Sequence, residues 1–296
     1  MLFVVASGLT LVFGMMGIIN FAHASFYMLG AYFAYALGGR LGFLGAMLVA
    51  PLLVAIVGIA VERFLLRPVH KFGHGHELLM TFGISYVAQE LIKLIFGNYP
   101  VSYGVPEFLR FPAFSLFGTD YPAYRVFVAM TAFALFALLV VLLRFTRLGI
   151  VVRAAVQRPA ITGVLGHNID AVFAGSFGVG AWMAGVAGVV GGALLSTSPN
   201  MALEMSTIVF VIVVVGGLGS LEGAFFASLL IGLLTSFAVG LNFSLADIGA
   251  LVGLRGIGEL GGLIGIKLST FAASMPVLLM LLVLVMRPTG LFGSRF

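Results

Sequence analysis

The sequence has no cysteine and very little charge. Only 8% of its 296 residues are Asp, Glu, Lys or Arg, whereas 61% are hydrophobic. Because a soluble domain carries roughly 25% charged residues, this composition excludes soluble enzymes, nucleic-acid-binding proteins and disordered chains. The absence of cysteine excludes disulfide frameworks, thiol nucleophiles and Cys-ligated zinc. What remains is a membrane protein, in which a net charge of +5 indicates basic cytoplasmic loops and no nucleic-acid partner.

Apolar runs long enough to cross a bilayer recur along the whole chain. A hydrocarbon core of about 30 Å needs about 20 helical residues, and continuous apolar runs are typical of helices, not of a transmembrane β-barrel. Residues 1–22 lack a charged leading region and a cleavage site, so they predict a span instead of a signal peptide. The sequence predicts an all-α polytopic membrane protein with eight or nine spans, at about 1–20, 24–39, 42–62, 78–96, 123–143, 172–195, 206–219, 224–240 and 271–287.

Basic residues predict the orientation, because Lys and Arg are enriched in cytoplasmic loops. One side would hold nine of them: Arg63, Arg67, Lys71, Arg144, Arg147, Arg153, Arg158, Arg287 and Arg295. The other side would hold five: Arg40, Arg110, Arg125, Arg255 and Lys267. The N-terminus is therefore predicted outside and the C-terminus in the cytoplasm. Two long non-cytoplasmic loops, at about 97–122 and 241–270, are predicted to be ordered, as lids, docking surfaces or simple connectors.

Glycine is abundant, and its placement indicates close helix contacts and interrupted helices. One predicted helix carries a small residue at every fourth position, namely Gly180, Ala184, Gly188 and Gly192. Such a bare face predicts close packing against another helix, or a face that slides during transport. Two clusters of glycine and polar residues, 14–25 and 216–223, interrupt apolar runs. In transporters, broken helices of this kind often mark the translocation route.

Polar residues within these breaks are candidates for substrate contact. Asn20 and His23 are costly in lipid, so they are predicted to face the protein interior, where they line a path or join neighbouring helices. Broken-helix amides can bind a carboxylate while apolar neighbours accept an aliphatic group. The predicted substrate pathway consists of Asn20, His23, Ser25, Gly216, Gly217, Gly219 and Ser220.

Other polar groups have structural interpretations. Glu90 and Lys93, next to Gln89, predict an ion pair in a span, with a proton relay as the alternative. His70, His74 and His76, with Glu77, predict a solvated cytoplasmic loop, although their side chains are also possible metal ligands. The sequence has no phosphate-binding loop and no converging Ser, His and Asp set. It therefore predicts no catalytic residue, metal or cofactor, and any ATP would be bound by another subunit.

Four segments resemble one family, the permease subunits of branched-chain amino-acid ABC importers of the LivH type. They are residues 8–35, which include the run Ile-Asn-Phe-Ala-His, and residues 153–172, 214–232 and 287–293. The resemblance implies the ABC importer permease fold in a single transmembrane domain, 1–296, of the bacterial inner membrane. It also implies a second permease subunit, identical or homologous, two cytoplasmic ATPase subunits and a periplasmic substrate-binding protein.

Within that resemblance, the segment at about 147–171 is similar to the coupling helix that sits in a groove of the ATPase. A short amphipathic stretch with basic side chains suits an acidic partner surface, and the alternative is a basic loop that only obeys the charge bias. The residues that the resemblance assigns to ATPase coupling are Arg153, Gln157, Arg158, Gly166, Asn168 and Asp170. At 158–162, where the family commonly has acidic residues, this chain reads Arg-Pro-Ala-Ile-Thr.

The implied function is alternating access, driven by ATPase subunits in trans, for branched-chain amino acids. Related permeases carry urea, amides or aromatic acids, and the sequence does not separate these substrates. An ion-coupled secondary transporter is the alternative from another class, and the scarcity of intramembrane carboxylates argues against it.

Overall fold

The computed structural model describes residues 1–116, 118–241 and 267–293. Its helices are α1 (Leu2–Met16), α2 (His23–Val61), a π-helical turn (Glu62–Leu66), α3 (Arg67–His70), α4 (His74–Phe96), α5 (Ala123–Phe145), α6 (Arg147–Gln157), α7 (Pro159–Val164), α8 (Ile169–Leu194), α9 (Met201–Gly216), α10 (Leu221–Leu241) and α11 (Met275–Met286). Short 3₁₀ turns occupy Glu107–Leu109 and Leu268–Phe271, and two strands are β1 (Pro112–Leu116) and β2 (Thr119–Pro122).

Several of these helices have the length and composition of membrane spans. The long apolar stretches are His23–His70, His74–Phe96, Ala123–Phe145, Ile169–Leu194 and Leu221–Gly240, and shorter apolar helices are α1, α9 and α11. The prediction of an all-α polytopic membrane protein is confirmed. The chain divides into two compact units, Met1–Phe210 and Val211–Phe296. Most of the predicted loop at 241–270 lies outside the described residues, as does Arg295.

The long helix α2 is folded back on itself at Gly42, whose backbone is not helical (φ 67°, ψ 178°). Gly185 of α8 faces Gly30 before this point and Val54 after it. In a straight helix Gly30 and Val54 would lie about 36 Å apart, at 1.5 Å per residue, so both could not contact the same residue. The two arms of α2, 23–41 and 43–61, therefore lie side by side along α8 and correspond to the spans predicted at 24–39 and 42–62.

Helix α8 is the centre of the first unit, and glycine allows the surrounding helices to approach it. A Cβ atom added to Gly180 would lie 2.9 Å from the carbonyl oxygen of Gly8 in α1. One added to Gly188 would lie 2.9 Å from the backbone nitrogen of Ala31 in α2. These separations are shorter than ordinary carbon contacts, so the backbones touch where side chains would otherwise keep them apart. The predicted close packing along Gly180, Ala184, Gly188 and Gly192 is confirmed.

The predicted loop at 97–122 is ordered and contains the antiparallel hairpin β1–β2, which the sequence reasoning did not predict. Gly118 takes a left-handed conformation (φ 78°) in the turn. The rings of Phe114 and Tyr121 stack across the strands with centroids 5.1 Å apart. Strands of four and five residues are too short to stand out by alternation beside long apolar helices, so only the cross-strand contacts reveal this element.

The same loop is tied to the far end of α8. Val101 pairs with Thr197 through two backbone hydrogen bonds, of 2.8 and 2.9 Å. Tyr103 donates a hydrogen bond to the Val189 carbonyl, and burial raises the pKa of Tyr103, so its hydroxyl stays protonated and able to donate. At the opposite end of α8, Arg67 contacts Asp170. Segments predicted to share a side of the membrane thus meet at the same end of α8.

In the second unit, α10 packs against the 3₁₀ turn Leu268–Phe271 and against α11. The C-terminal stretch 287–293 turns back from α11 and hydrogen-bonds to the end of α9. Phe226 and Phe292 stack with ring centroids 5.3 Å apart.

Candidate functional site

The first helical break predicted from the sequence is present, between α1 and α2. Helix α1 ends at Met16, and Gly17 takes the left-handed conformation (φ 66°) while its N–H donates to the Phe13 carbonyl at 2.8 Å. Glycine adopts this conformation without the steric cost that a Cβ atom brings. Residues 17–20 have no regular structure and 21–22 form a turn, so residues 17–22, here called the broken turn, interrupt the helical backbone before α2 begins at His23.

Asn20 and His23 both lie inside the protein, as predicted, with 2% and 1% of their surface exposed. The Asn20 Oδ1 accepts a hydrogen bond from the Ala22 N–H at 3.0 Å, which holds the turn. The His23 Nε2 lies 3.0 Å from the Val5 carbonyl oxygen in α1. Since a carbonyl oxygen can only accept, this contact places the proton on Nε2. The two remaining polar atoms, Asn20 Nδ2 and His23 Nδ1, are buried and have no hydrogen-bond partner among the described residues. They present one donor and one acceptor.

Helix α4 holds the broken turn from the other side. The Thr81 Oγ1 accepts a hydrogen bond from the Phe21 N–H at 3.3 Å. Ser25, the third predicted pathway residue of this unit, donates to the Ser85 hydroxyl at 3.1 Å. Phe21 also packs edge-to-face against Phe82, with ring centroids 6.5 Å apart.

These contacts belong to a polar stripe along α4, which consists of Glu77, Thr81, Ser85 and Gln89. All four side chains are buried, and residues four apart share a helix face. Gln89 donates to the Asn200 Oδ1 at 3.0 Å. The sequence reasoning missed this stripe. The signal is present as a polar residue at every fourth position of an apolar helix, which places the four side chains on one face.

The pairing of Glu90 with Lys93 is confirmed, at 2.7 Å between Oε1 and Nζ. The prediction of a solvated loop at 70–77 is wrong about the loop, because α3 ends at His70 and α4 begins at His74, but residues 71–76 are exposed as predicted. Glu77 is buried in the first turn of α4, beside the Nδ1 atoms of His70 and His74. A buried carboxylate needs such partners, and this need draws the segment into the fold. Over the described residues, no cluster of three or more His, Asp or Glu side chains has the arrangement of a metal site.

The second predicted break, 216–220, lies in the other unit and is paired with the C-terminal stretch. The Gly216 carbonyl accepts a hydrogen bond from the Phe292 N–H at 3.0 Å. Gly217 and Gly219 both have positive φ angles, of 102° and 81°. The Ser220 Oγ accepts from the Gly223 N–H at 3.0 Å, as an N-terminal cap of α10. Two segments that carry the family resemblance, 214–232 and 287–293, are thus one structural element.

Substituting Gly217 with alanine is expected to destabilise this element by about 3 kcal/mol or more. A non-glycine residue at positive φ costs roughly 1–3 kcal/mol, and the new Cβ would lie 2.8 Å from the Gly293 Cα. Thermal unfolding of the purified protein measures the effect. The matched control is Gly232→Ala in α10, where no atom lies within 4 Å of an added Cβ. Equal midpoints for the two variants would contradict the prediction.

The predicted coupling segment forms two helices, because α6 ends at Gln157, shortly before Pro159. Arg158, the residue before it, is not helical (φ −145°, ψ 73°), because proline disfavours the helical conformation of its predecessor. Helix α7 then ends in a turn at Gly166, whose φ is 88°. Asn168 caps α8 by accepting from the Ala171 N–H at 3.0 Å. Helix α7 and the residue after it expose three apolar side chains, Ile161, Val164 and Leu165, which form an apolar tip.

The other predicted coupling residues are in different environments. Gln157 is the last residue of α6, and Arg158 is exposed. Arg153 is also exposed, but its guanidinium donates to the Leu143 carbonyl at the end of α5. Asp170 forms an ion pair with Arg67 at 3.2 Å. The sequence reasoning used Arg67 only as a basic loop residue and missed this contact.

Comparisons with known proteins agree on one family. The family described as "Branched-chain amino acid transport system / permease component" matches residues 1–286. The high-affinity branched-chain amino acid transport system permease protein LivH of Salmonella typhimurium is 28% identical over 247 residues, which cover 77% of this chain and 78% of that protein. LivH of Escherichia coli K12 is 28% identical over 248 residues, covering 77% and 79%. BraD of Pseudomonas aeruginosa is 28% identical over 248 residues, covering 79% and 80%.

No solved structure matches the chain. The family match extends over far more than half of the sequence and includes both helical breaks, the segment between α5 and α8, and the end of α11. The chain therefore belongs to the permease component family of the branched-chain amino acid transport system.

Proposed function

We propose that this chain is the transmembrane permease subunit of an ATP-driven importer of branched-chain amino acids. The observation that carries the proposal is the broken turn 17–22 lying against the polar stripe of α4 inside an otherwise apolar helical unit. Polar groups within membrane-spanning segments are expensive and mark substrate paths when they converge. The names of the similar proteins, all of them branched-chain amino acid transport permeases, support the substrate class.

The chemistry of the broken turn suits a zwitterionic aliphatic amino acid. Asn20 Nδ2 is a donor for the substrate carboxylate, and His23 Nδ1 is an acceptor for its ammonium group. Ile18 and Phe21 are the apolar neighbours within the same turn. In the described state both polar atoms are buried, so the substrate reaches them only when the helices separate, as alternating access requires. The breaks at Gly17 and Gly42 are the points where the arms can change their angle.

The segment 147–171 is the docking site for an ATPase subunit in this proposal. The apolar tip formed by Ile161, Val164 and Leu165 would enter the groove of the partner, with Arg158 beside it. Apolar anchors supply the affinity of such contacts and charged rims supply their orientation. The chain is a transport component without its own ATPase site, and the ATP belongs to two partner subunits. A second permease subunit and a periplasmic binding protein complete the assembly, with the N-terminus outside and the C-terminus in the cytoplasm.

Purification in mild detergent from the native membrane tests the proposal. ATPase subunits are expected to copurify, and hydrolysis is expected to rise when a leucine-loaded binding protein is added. Competition by valine, isoleucine, urea, amides and aromatic acids then ranks the substrates. If the chain purifies alone and transports in liposomes on an ion gradient, it is a secondary transporter and the proposal fails.

A further inference from the structure

A network of charges joins the end of α2 to the start of α8. Glu62 begins the π-helical turn and is only 1% exposed. Its two carboxylate oxygens accept hydrogen bonds from one guanidinium, with Arg67 Nε at 3.1 Å from Oε1 and Nη2 at 2.7 Å from Oε2. This bidentate geometry is what a buried carboxylate needs to offset the loss of water.

The same guanidinium also binds the first turn of α8. The Arg67 Nη2 donates to the Asp170 carbonyl at 2.9 Å, and Nη1 lies 3.2 Å from the Asp170 Oδ2. Three acceptor groups of two distant segments therefore share one side chain. The planar fork of arginine can serve all three together, whereas a lysine ammonium acts as a point charge and cannot.

The network links the segment 147–171 to the end of the second arm of α2. Asp170 lies at the end of the segment 147–171, two residues after the Asn168 cap, so it moves with any displacement of α7 and its turn. Glu62 stands at the end of the second arm of α2, where the Arg67 N–H donates to the Glu62 carbonyl five residues earlier. Such π-helical turns are less regular than an α-helix and are frequent at functional sites.

Free space adjoins the network. A cavity of about 430 Å³ is lined by Glu62, Arg67 and Asp170, together with Ile18, Lys71 and Phe173. The cavity also reaches the broken turn through Ile18. The guanidinium consequently has room to shift between its partners without a clash against a packed core. A side chain that can exchange partners is a physical basis for a two-state link.

We propose that Arg67 is a positioning residue that transmits the movement of the coupling segment to the arms of α2 and to the broken turn. This inference rests on the proposed function, because the movement comes from the ATPase subunits. Arg67 contacts no substrate. Its role is to make the position of Glu62 depend on the position of Asp170.

The test uses the complete transporter, reconstituted in liposomes with its ATPase subunits and binding protein. The readout is the number of leucine molecules transported per ATP hydrolysed, a ratio that does not change when part of the protein is simply unfolded. Arg67→Lys is expected to assemble and to hydrolyse ATP, while the ratio falls about tenfold, within the 5- to 150-fold range of ordinary coupling energies. The matched control is Arg63→Lys, four residues earlier in the chain, because Arg63 is exposed and lies over the Phe64 ring. The control is expected to keep the wild-type ratio.

A double variant separates coupling from stability. Glu62→Leu with Arg67→Leu removes the buried charge together with its partner, which is often neutral or stabilising. The double variant is expected to be as stable as the wild type, while its ratio of leucine transported to ATP hydrolysed is as low as in Arg67→Lys. A wild-type ratio in either Arg67→Lys or the double variant overturns the inference. If instead the unmodified chain brings no ATPase subunits or transports without ATP, it is the proposed function that fails.

Discussion

Replacing Gly188 with alanine is expected to destabilise the first unit by at least about 3 kcal/mol, at or above the usual upper end for overpacking a core. The added methyl group would lie 2.9 Å from the Ala31 nitrogen and 3.0 Å from the Tyr27 carbonyl carbon. Both are backbone atoms of α2, so no side-chain rotation relieves the clash and the two helices must separate. Separation exposes the rest of the α2–α8 contact. The expected result is a lower unfolding temperature and a smaller fraction of monodisperse protein in size-exclusion chromatography.

The same helix offers a matched control in Gly175, which is exposed and has no atom within 4 Å of an added Cβ. Gly175→Ala is expected to leave stability unchanged or to raise it by roughly 0.5–1 kcal/mol, since alanine is the better helix former. The two substitutions in one helix are therefore expected to change stability in opposite directions, because a steric clash dominates at 188 and helix propensity dominates at 175. An unfolding temperature of Gly188→Ala that equals that of Gly175→Ala would contradict the role of Gly188 in close packing.

Replacing Asn20 with leucine is expected to lower leucine uptake roughly 10- to 100-fold. The change leaves the buried Ala22 N–H without its acceptor, which costs about 1–3 kcal/mol. It also removes Nδ2, a donor that has no partner in the part of the chain that the structure describes and that the proposed function assigns to the substrate carboxylate. Uptake of radiolabelled leucine by liposomes containing the complete transporter measures the effect, normalised to the amount of assembled complex.

Thr10→Val is the control for removal of a buried polar group. The Thr10 hydroxyl is buried in α1 and donates to the Ala6 carbonyl at 2.7 Å, within its own helix. Valine has nearly the same shape, and a side chain bonded to its own helix has no assigned contact with substrate. Uptake is expected to stay within about twofold of the wild type, consistent with a net contribution of about 0.5 kcal/mol for such a bond. A folded Asn20→Leu complex that transports as well as Thr10→Val would remove the broken turn from the pathway.

The family match supports the interpretation that the sequence motifs first gave. Neither helical break identifies a family by itself. The specific feature is the combination of motifs in one order within one hydropathy profile, namely 19–23, 153–172 and 287–293. The segment proposed for coupling is divided at Pro159 into α6 and α7. The exposed apolar tip at 161–165 remains on the second of these helices, so the surface proposed for the ATPase is an apolar turn with Arg158 at its rim.

The sequence by itself determined the fold class, most helix positions and the places where helices break. These properties depend on short-range causes. In lipid every backbone N–H and C=O must bond within its own helix, so the length of an apolar run predicts a span. Left-handed positions favour glycine, so Gly17 and Gly217 mark interruptions wherever the helices later pack. The four-residue spacing of Gly180 and Gly188 likewise predicted a close contact without naming the partner.

Only the tertiary structure decided which groups meet. Arg67 lies 103 residues from Asp170, and Gly216 lies 76 residues from Phe292, yet each pair shares a hydrogen bond. Arg63 and Arg67 are basic residues four apart after the second arm of α2, and the sequence alone does not tell which of them meets Asp170. The polar stripe of α4 could have been found by its spacing, but its partners in the broken turn could not. Such pairings follow from the angles at which packed helices cross and fold back, and those angles depend on contacts between segments distant in sequence.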